Sequence, residues 1–358
     1  MKDNILIGGF LIILFGFMLS SILLPDKEVS ISERRKLEQM PHLKVNGAWN
    51  SDYFKELDKY FIDQFPLREN LRHIKMYSQL YLLGKQDNDD VFLDEDYLFL
   101  LNDDFNKENI QYFINKIKEI KDQYLTSSNQ IFYSIIPDKQ YYSSNLFYPR
   151  YDYLRLEQML QNNLDISYIN LFSMLELNDY YKTDIHWKND KLEKVAEYLI
   201  TSMDRDYVFS KKEIKKVGDF YGSLYYRFGI SLEPDELVYL TNKDLENIRV
   251  WNMEKNKYEG LYNKNIDLID GYDFYLSGAT PLLTIYNDKV ENDQELIIFR
   301  DSFASSLTPL LIESYEKITL IDLRYISASI LSDYVDFSGS DILFLYSVPV
   351  INNGKILK

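Results

Sequence analysis

Leu296-Ile297-Ile298-Phe299-Arg300-Asp301-Ser302-Phe303 is a four-residue apolar run closed by three polar residues. An apolar run this short reads as a buried strand, because a buried helix needs more residues. An apolar-periodic segment follows, so Ser302 falls on a strand-to-helix turn. There the unpaired backbone N–H groups and the helix dipole favour negative charge. Two readings of Ser302 stay open at this point. Serine is a preferred helix N-cap. It is also an acyl-transfer nucleophile wherever nearby donors hold the oxyanion that forms on the attacked carbonyl.

Gln130–Ile136, Ile166–Leu171, Ile318–Leu323 and Ile342–Tyr346 read as further strands. Helices are expected around Ile110–Ile120, over Tyr151–Leu164 and Lys188–Met203, and over 303–316 and 326–334, with Pro309 a flaw in the first of these last two. Strands alternating with helices predict an α/β fold, a parallel sheet with helices on both faces. In such sheets ligands bind beyond the carboxyl ends of the strands, where Ser302 lies. Residues 205–290 are aromatic, dotted with glycine and β-leaning, and read as a β-rich insertion over the core. Upstream, Tyr53, Phe54, Leu57, Tyr60 and Phe61 form a helical stripe that stops near Pro66, and Leu71–Leu82 a second one ended by Gly84. Val91–Leu101 reads as a hairpin turning at Asp94-Glu95-Asp96.

The first 25 residues form a separate element. Ile5–Leu24 is an uncharged apolar run of bilayer-spanning length, ended by Pro25 and Asp26. It exceeds a usual signal-peptide core, and no A-x-A site follows it, so an uncleaved transmembrane anchor is expected. Lys2 precedes the run, whereas Lys27, Arg34, Arg35 and Lys36 follow it, so charge does not orient the helix. The usual behaviour of an N-terminal signal anchor exports the bulk of the chain. Residues 26–50 read as a polar stalk and 51–358 as the catalytic domain.

The 358 residues include no cysteine, which excludes disulfides, cysteine nucleophiles and thiolate metal sites. The net charge of −16 opposes nucleic-acid binding. The 31 tyrosines fit either sugar-stacking platforms or a plain compositional bias toward Asn, Ile, Lys, Asp and Tyr. No phosphate-binding or dinucleotide motif is present, and no cofactor or metal site is expected.

A serine hydroxyl needs a neighbouring base. Of the three histidines, His42 lies in the stalk and His73 in an expected helix. His186 stands in the loop segment Tyr181-Lys182-Thr183-Asp184-Ile185-His186-Trp187, just before a helix. His186 can take the serine proton, and Asp184 can hold the imidazole in the right tautomer. An isolated Asp-x-His is a weak motif, and the fold must bring it to Ser302.

Thr183-Asp184-Ile185-His186-Trp187 resembles the D-x-H-W signature of the DHHW family, relatives of the alginate O-acetyltransferases AlgJ and AlgX. Arg300-Asp301-Ser302-Phe303 resembles that family's nucleophile block, G-D-S-F or G-T-S-Y. The run Leu307–Tyr325 and the N-terminal layout, with Ser32-Glu33-Arg34-Arg35-Lys36-Leu37 after the anchor, are also similar. The resemblance implies an SGNH-hydrolase-like (flavodoxin-like) domain, circularly permuted so that the Asp-x-His block precedes the serine block. It implies Ser302, His186 and Asp184 as the catalytic residues. It places Arg324 and its neighbour Tyr325 as substrate-binding or oxyanion candidates, a salt bridge being the other reading of Arg324. Arg300 departs from the family glycine; its side chain either narrows the approach to Ser302 or binds substrate. Gly218-Asp219-Phe220-Tyr221-Gly222 resembles a family block without an evident role, and Asn287 is a remote candidate for an SGNH-type donor.

The expectation is therefore a membrane-anchored, extracytoplasmic O-acetyltransferase acting through an acyl-serine on a surface polysaccharide of cellulose or alginate type. The resemblance also implies a membrane-bound acyltransferase as acetyl donor. An acetylesterase of the same fold, or a non-catalytic polysaccharide-binding scaffold subunit, fits the same residues.

Overall fold

The computed structural model describes residues 2–30, 35–45, 47–102, 104–266 and 268–358. Ser32, Glu33 and Arg34 of the family-like N-terminal block lie outside them. The chain forms two compact units, Met1–Val91 with Tyr225–Leu232, and Phe92–Leu224 with Glu233–Lys358.

In the first unit, α1 (Lys2–Leu23) contains a 20-residue stretch of mean hydropathy 2.5, Asn4–Leu23, long and apolar enough to cross a membrane. The expected stripes form α2 (Tyr53–Asp63) and α3 (Arg68–Leu83). Gly84, at φ +64°, ends α3 in the left-handed conformation that suits glycine.

The second unit is built on an eight-stranded sheet. Its strands, with those of a separate hairpin, are β1 (Ile131–Ile136), β2 (Ser167–Asn170), β3 (Glu213–Phe220), β4 (Asp235–Thr241), β5 (Arg249–Asn252), β6 (Lys257–Glu259), β7 (Leu282–Tyr286), β8 (Glu295–Arg300), β9 (Lys317–Ile321) and β10 (Asp341–Ser347). The sheet order is β6-β5-β7-β9-β8-β10-β1-β2, and β3 pairs with β4 alone. From β9 to β2 all neighbours are parallel, whereas β7, β5 and β6 add antiparallel pairings at one edge.

The period-two alternation of a strand explains why β8 is central. Leu296 and Ile298 belong to one buried cluster, and Ile297 and Phe299 to another. The first cluster includes Val195, Leu199 and Ile200 of α6 (Glu193–Ser202) and Leu307 and Leu310 of α7 (Ala304–Leu311). The second includes Ile110, Phe113, Ile114 and Ile117 of α4 (Lys107–Tyr124) and Leu156 and Leu160 of α5 (Tyr153–Asn163). Asn106 and Asp152 cap α4 and α5 by accepting the N–H of Asn109 and Arg155. The sheet thus carries helices on both faces, as the alternation of elements predicts.

Three local expectations change. Residues 205–290 do not only lie over the core, because β5, β6 and β7 extend the sheet itself. The segment 326–334 forms a 3₁₀ turn, Ala328–Asp333, in place of an α-helix. The helix after Ser302 begins at Ala304, runs through Pro309 and tightens to a 3₁₀ turn at Ile312–Ser314.

Candidate active site

Beyond the carboxyl end of β8 the chain turns through Asp301 and Ser302 into α7. Asp301 is buried, and its carboxylate accepts the Phe303 N–H at 3.0 Å and the Ser347 N–H, at the end of β10, at 2.7 Å. This fixes the turn against the neighbouring strand. The N-cap of α7 is Phe303, without a side-chain cap. The Ser302 hydroxyl faces the His186 ring instead, with 2.8 Å between Oγ and Nε2. The geometry thus removes the N-cap reading of Ser302.

His186 comes from the long connection after β2, the edge strand. Tyr180 and Trp187 pair as a bridge, and the Tyr181 N–H donates to the His186 carbonyl at 3.1 Å, which closes 181–186 into a tight loop. Buried Asp235, at the start of β4, accepts the Lys182 and Thr183 N–H groups at 2.9 and 2.8 Å and the Thr183 hydroxyl at 2.7 Å. On the carbonyl side, Lys139, just after β1, donates from Nζ to Tyr181, Lys182 and Asp184 at 2.8, 3.1 and 2.7 Å. Burial pushes the Lys139 ammonium down to about 7, against the pull of Asp235 and Asp184.

Trp187 and Asn189 join the two loops. The fully buried Trp187 indole N–H lies 3.0 Å from both the Phe303 carbonyl and the Ser306 hydroxyl. Asn189 donates to the Ser306 carbonyl at 2.6 Å. The tryptophan after the histidine therefore locks the base onto the turn that carries the serine.

Asp184 is buried and fully partnered. One oxygen meets His186 Nδ1 at 2.5 Å and the His186 N–H at 3.1 Å. The other accepts the Ser223 N–H at 2.7 Å and its hydroxyl at 2.9 Å. Burial alone would raise its pKa, but the imidazole and these hydrogen bonds outweigh burial and hold the carboxyl below the ordinary carboxylate range. An ionised acid on Nδ1 presets Nε2 as the acceptor for the Ser302 proton and stabilises the imidazolium that forms. Tyr272 stacks on the imidazole, with centroids 3.7 Å apart and planes 9° from parallel, and its hydroxyl lies 2.7 Å from the Ser306 hydroxyl. The Ser302 N–H has no hydrogen-bond acceptor among the described residues and is the donor left for an oxyanion, since Asp301 occupies the Phe303 N–H.

Gly222 gives the 218–222 block a physical role. A Cβ there would stand 2.3 Å from Asp184 Cβ and 2.5 Å from the Thr183 carbonyl oxygen. Only glycine lets this backbone approach closely enough for Ser223 to hold the carboxylate.

The remaining candidates lie elsewhere or are otherwise engaged. Arg300 has no solvent exposure, so it neither narrows the approach to Ser302 nor meets a ligand. The strand alternation turns it under α7, where it donates to the Ser305 and Thr280 hydroxyls at 2.9 and 3.2 Å. Arg324 stands three residues beyond Ile321, as Ser302 stands three beyond its parallel partner Phe299. Its guanidinium grips Asp322 at 2.9 and 2.6 Å, the salt-bridge reading, and lies 5.4 Å from the exposed Tyr325 ring. Asn287 adjoins Glu316, at the opposite end of β9 from the site, and donates to the Ile312 carbonyl, so it supplies no donor here.

Sequence reasoning missed Lys139, Ser223, Asp235 and Tyr272. Only the glycine block next to Ser223 carried a signal; the other three are single residues on elements that the fold alone brings together.

The second unit is thus a parallel-rich α/β domain in which Asp184, His186 and Ser302 form a hydrogen-bonded chain beyond the carboxyl end of β8. No family model matches the chain, and no curated protein matches it in sequence. Solved structures do. The chain shares its fold with a DHHW family protein from Eubacterium siraeum, at TM-score 0.60 and 17% identity over 74% of this chain and 92% of that one. Bacillus cereus PatB1 matches at TM-score 0.51 and 18% identity, covering 74% of this chain and 97% of PatB1. The same protein with a sulfonyl adduct matches at TM-score 0.54 and 18% identity over 75% and 98%.

Proposed function

We propose that the chain is an extracytoplasmic O-acyltransferase that moves an acetyl group through Ser302 to a hydroxyl of an exported surface polysaccharide. The observation that carries this reading is the unbroken relay from Asp184 to His186 to Ser302, at 2.5 and 2.8 Å. The DHHW-like sequence blocks and the fold shared with a DHHW family protein support it.

In the first half-reaction Ser302 Oγ bonds to the acetyl carbonyl carbon while His186 Nε2 takes the hydroxyl proton. The negative charge on the carbonyl oxygen is met by the Ser302 N–H. The donor's leaving oxygen then departs with the proton from His186, leaving acetyl-Ser302. In the second half-reaction a sugar hydroxyl gives its proton to Nε2 and attacks the ester, and Ser302 leaves with that proton restored. Tyr325, exposed at the same edge of the sheet, contacts the acceptor, and the Arg324 guanidinium, gripped by Asp322, stands beside its ring. A membrane-bound acyltransferase supplies the acetyl group, and α1 anchors the enzyme where the polymer emerges. The acidic surface favours a neutral glucan acceptor over a uronate polymer.

Full-length protein in detergent, given a chromogenic acetyl ester and a neutral gluco-oligosaccharide, tests this. Acetylated oligosaccharide detected by mass is the expected product. Acetate release alone would make the chain an esterase, and full activity in Ser302→Ala would remove Ser302 from the chemistry.

A further inference from the structure

The turn between α2 and α3 presents apolar side chains to the outside. Phe61, Ile62, Phe65, Leu67, Leu71 and Ile74 are all exposed, Ile62 and Leu67 by 64% and 62%. Phe61, Ile62, Phe65 and Leu71 line a groove of about 640 Å³ whose remaining wall is Asp58, Arg68, Arg72 and Lys75, with Arg68 and Arg72 3.5 and 3.7 Å from Glu69. Leu67 adopts φ +57°, a left-handed conformation that leucine rarely takes, and does so with its side chain outward.

The same unit relates this turn to the membrane-length helix. Past the end of α1, the Tyr60 hydroxyl donates to Asp26 at 2.9 Å, and the Lys27 N–H donates to the Gln64 side chain at 2.9 Å. Beyond these ties, the Phe65 ring stacks on Phe17 of α1 at 5.1 Å. Phe17 precedes the end of α1 by six residues. At 1.5 Å per residue that is about 9 Å inside the helix. If α1 fills the hydrocarbon layer, Phe65 lies well within one leaflet, whose apolar half is about 15 Å deep. Residues 53–83 carry five basic and four acidic side chains, in a chain of net charge −16.

We propose that the α2–α3 turn is a lipid wedge: Phe65 and Leu67 enter the leaflet beside α1, and Lys75, exposed on α3, meets anionic phospholipid headgroups. The wedge rests on the reading of α1 as a membrane anchor. It gives the anchored chain a second attachment, which fixes the first unit against the bilayer where a single helix would leave it free to swivel.

The chain has no cysteine, so single-cysteine labelling reads the wedge without background. Full-length Leu67→Cys, Phe10→Cys and Asp122→Cys, each carrying one fluorophore, are reconstituted in vesicles of phosphatidylcholine and phosphatidylglycerol. Asp122 is an exposed position on α4, and Phe10 reports α1. Burial of an apolar side chain favours the inserted state about tenfold or more, so aqueous iodide should quench the label at 67 about tenfold less than the label at 122. A lipid-borne nitroxide should quench the labels at 67 and 10 alike. Equal iodide quenching at 67 and 122, with Phe10→Cys still quenched by lipid, overturns the wedge and leaves the anchor. Shielding of 67 from both quenchers overturns it in favour of a protein cover. A label at 10 that lipid does not quench removes the anchor, and the wedge with it.

Discussion

Replacing Gly222 with alanine tests whether the backbone beside Asp184 must come as close as it does. The new Cβ would stand 2.3, 2.5 and 2.5 Å from Asp184 Cβ, Asp184 Cα and the Thr183 carbonyl oxygen. All three belong to the rigid loop, so no flexible side-chain end can swing away. Ordinary carbon–carbon contact begins near 3.5 Å, so the two segments must separate by about 1 Å. That displacement draws the Ser223 N–H and hydroxyl, now 2.7 and 2.9 Å from Asp184, to the limit of hydrogen bonding. Overpacking of this kind costs about 1–3 kcal/mol of stability, and a catalytic group misplaced by about 1 Å costs about a hundredfold in rate. The expected result is a kcat about a hundredfold lower with KM little changed, measured on a chromogenic acetyl ester beside the Tm. Gly260→Ala is the control, since its Cβ would meet nothing closer than 4.0 Å. A Gly222→Ala protein with full kcat would refute the claim that this contact positions Asp184.

Three further outcomes follow from the same geometry. Asp184→Asn should lower kcat by about four orders of magnitude, because an amide on Nδ1 favours the wrong tautomer. As the folded-state pKa of Asp184 lies below its unfolded value, its carboxylate stabilises the fold above about pH 4 and loses that share only as acid protonates it. The Tm gap between wild type and Asp184→Asn should therefore hold from neutral pH to about 5 and shrink in stronger acid, as melting curves across pH would record. Lys139→Met should lower kcat about tenfold by leaving three loop carbonyls without their shared donor. Lys139 is depressed to about 7, so above that pH the folded chain sheds a proton that the unfolded chain keeps until about 10. Wild type should thus gain stability relative to Lys139→Met between those values. Its kcat should decline over the same range, since a neutral amine has two N–H donors for three carbonyls. Trp187→Phe should lower Tm by removing about 1–3 kcal/mol, as the Phe303 carbonyl and Ser306 hydroxyl both lose the indole N–H.

The parts of this molecule that could be read in the sequence are those whose pattern is local. Leu296–Phe299 announces a strand buried on both faces because each residue in it is apolar, and the sheet places alternate ones in the two clusters. Asp184, His186 and Ser302 stood out by residue type and loop position, and the fold brings them within hydrogen-bonding distance. Strands β5–β7 read as β-leaning but not as part of the main sheet, because they join it through antiparallel pairings at one edge and no local pattern names the strand they pair with. Arg300 stood out only as a departure from the family glycine; its full burial follows from the strand alternation that turns a last residue to one face. Lys139, Asp235 and Tyr272 act on the loop from three other elements, and nothing in their own neighbourhoods marks that role.

The hydroxyl at position 302 is the proposed carrier of the acyl group. Full-length protein treated with an aryl sulfonyl fluoride, then digested and mapped by mass, tests it most directly. One sulfonyl group is expected, on Ser302, with activity lost in proportion and no adduct in His186→Ala. An active protein that remains unlabelled, or one labelled on a different serine as activity disappears, would contradict it.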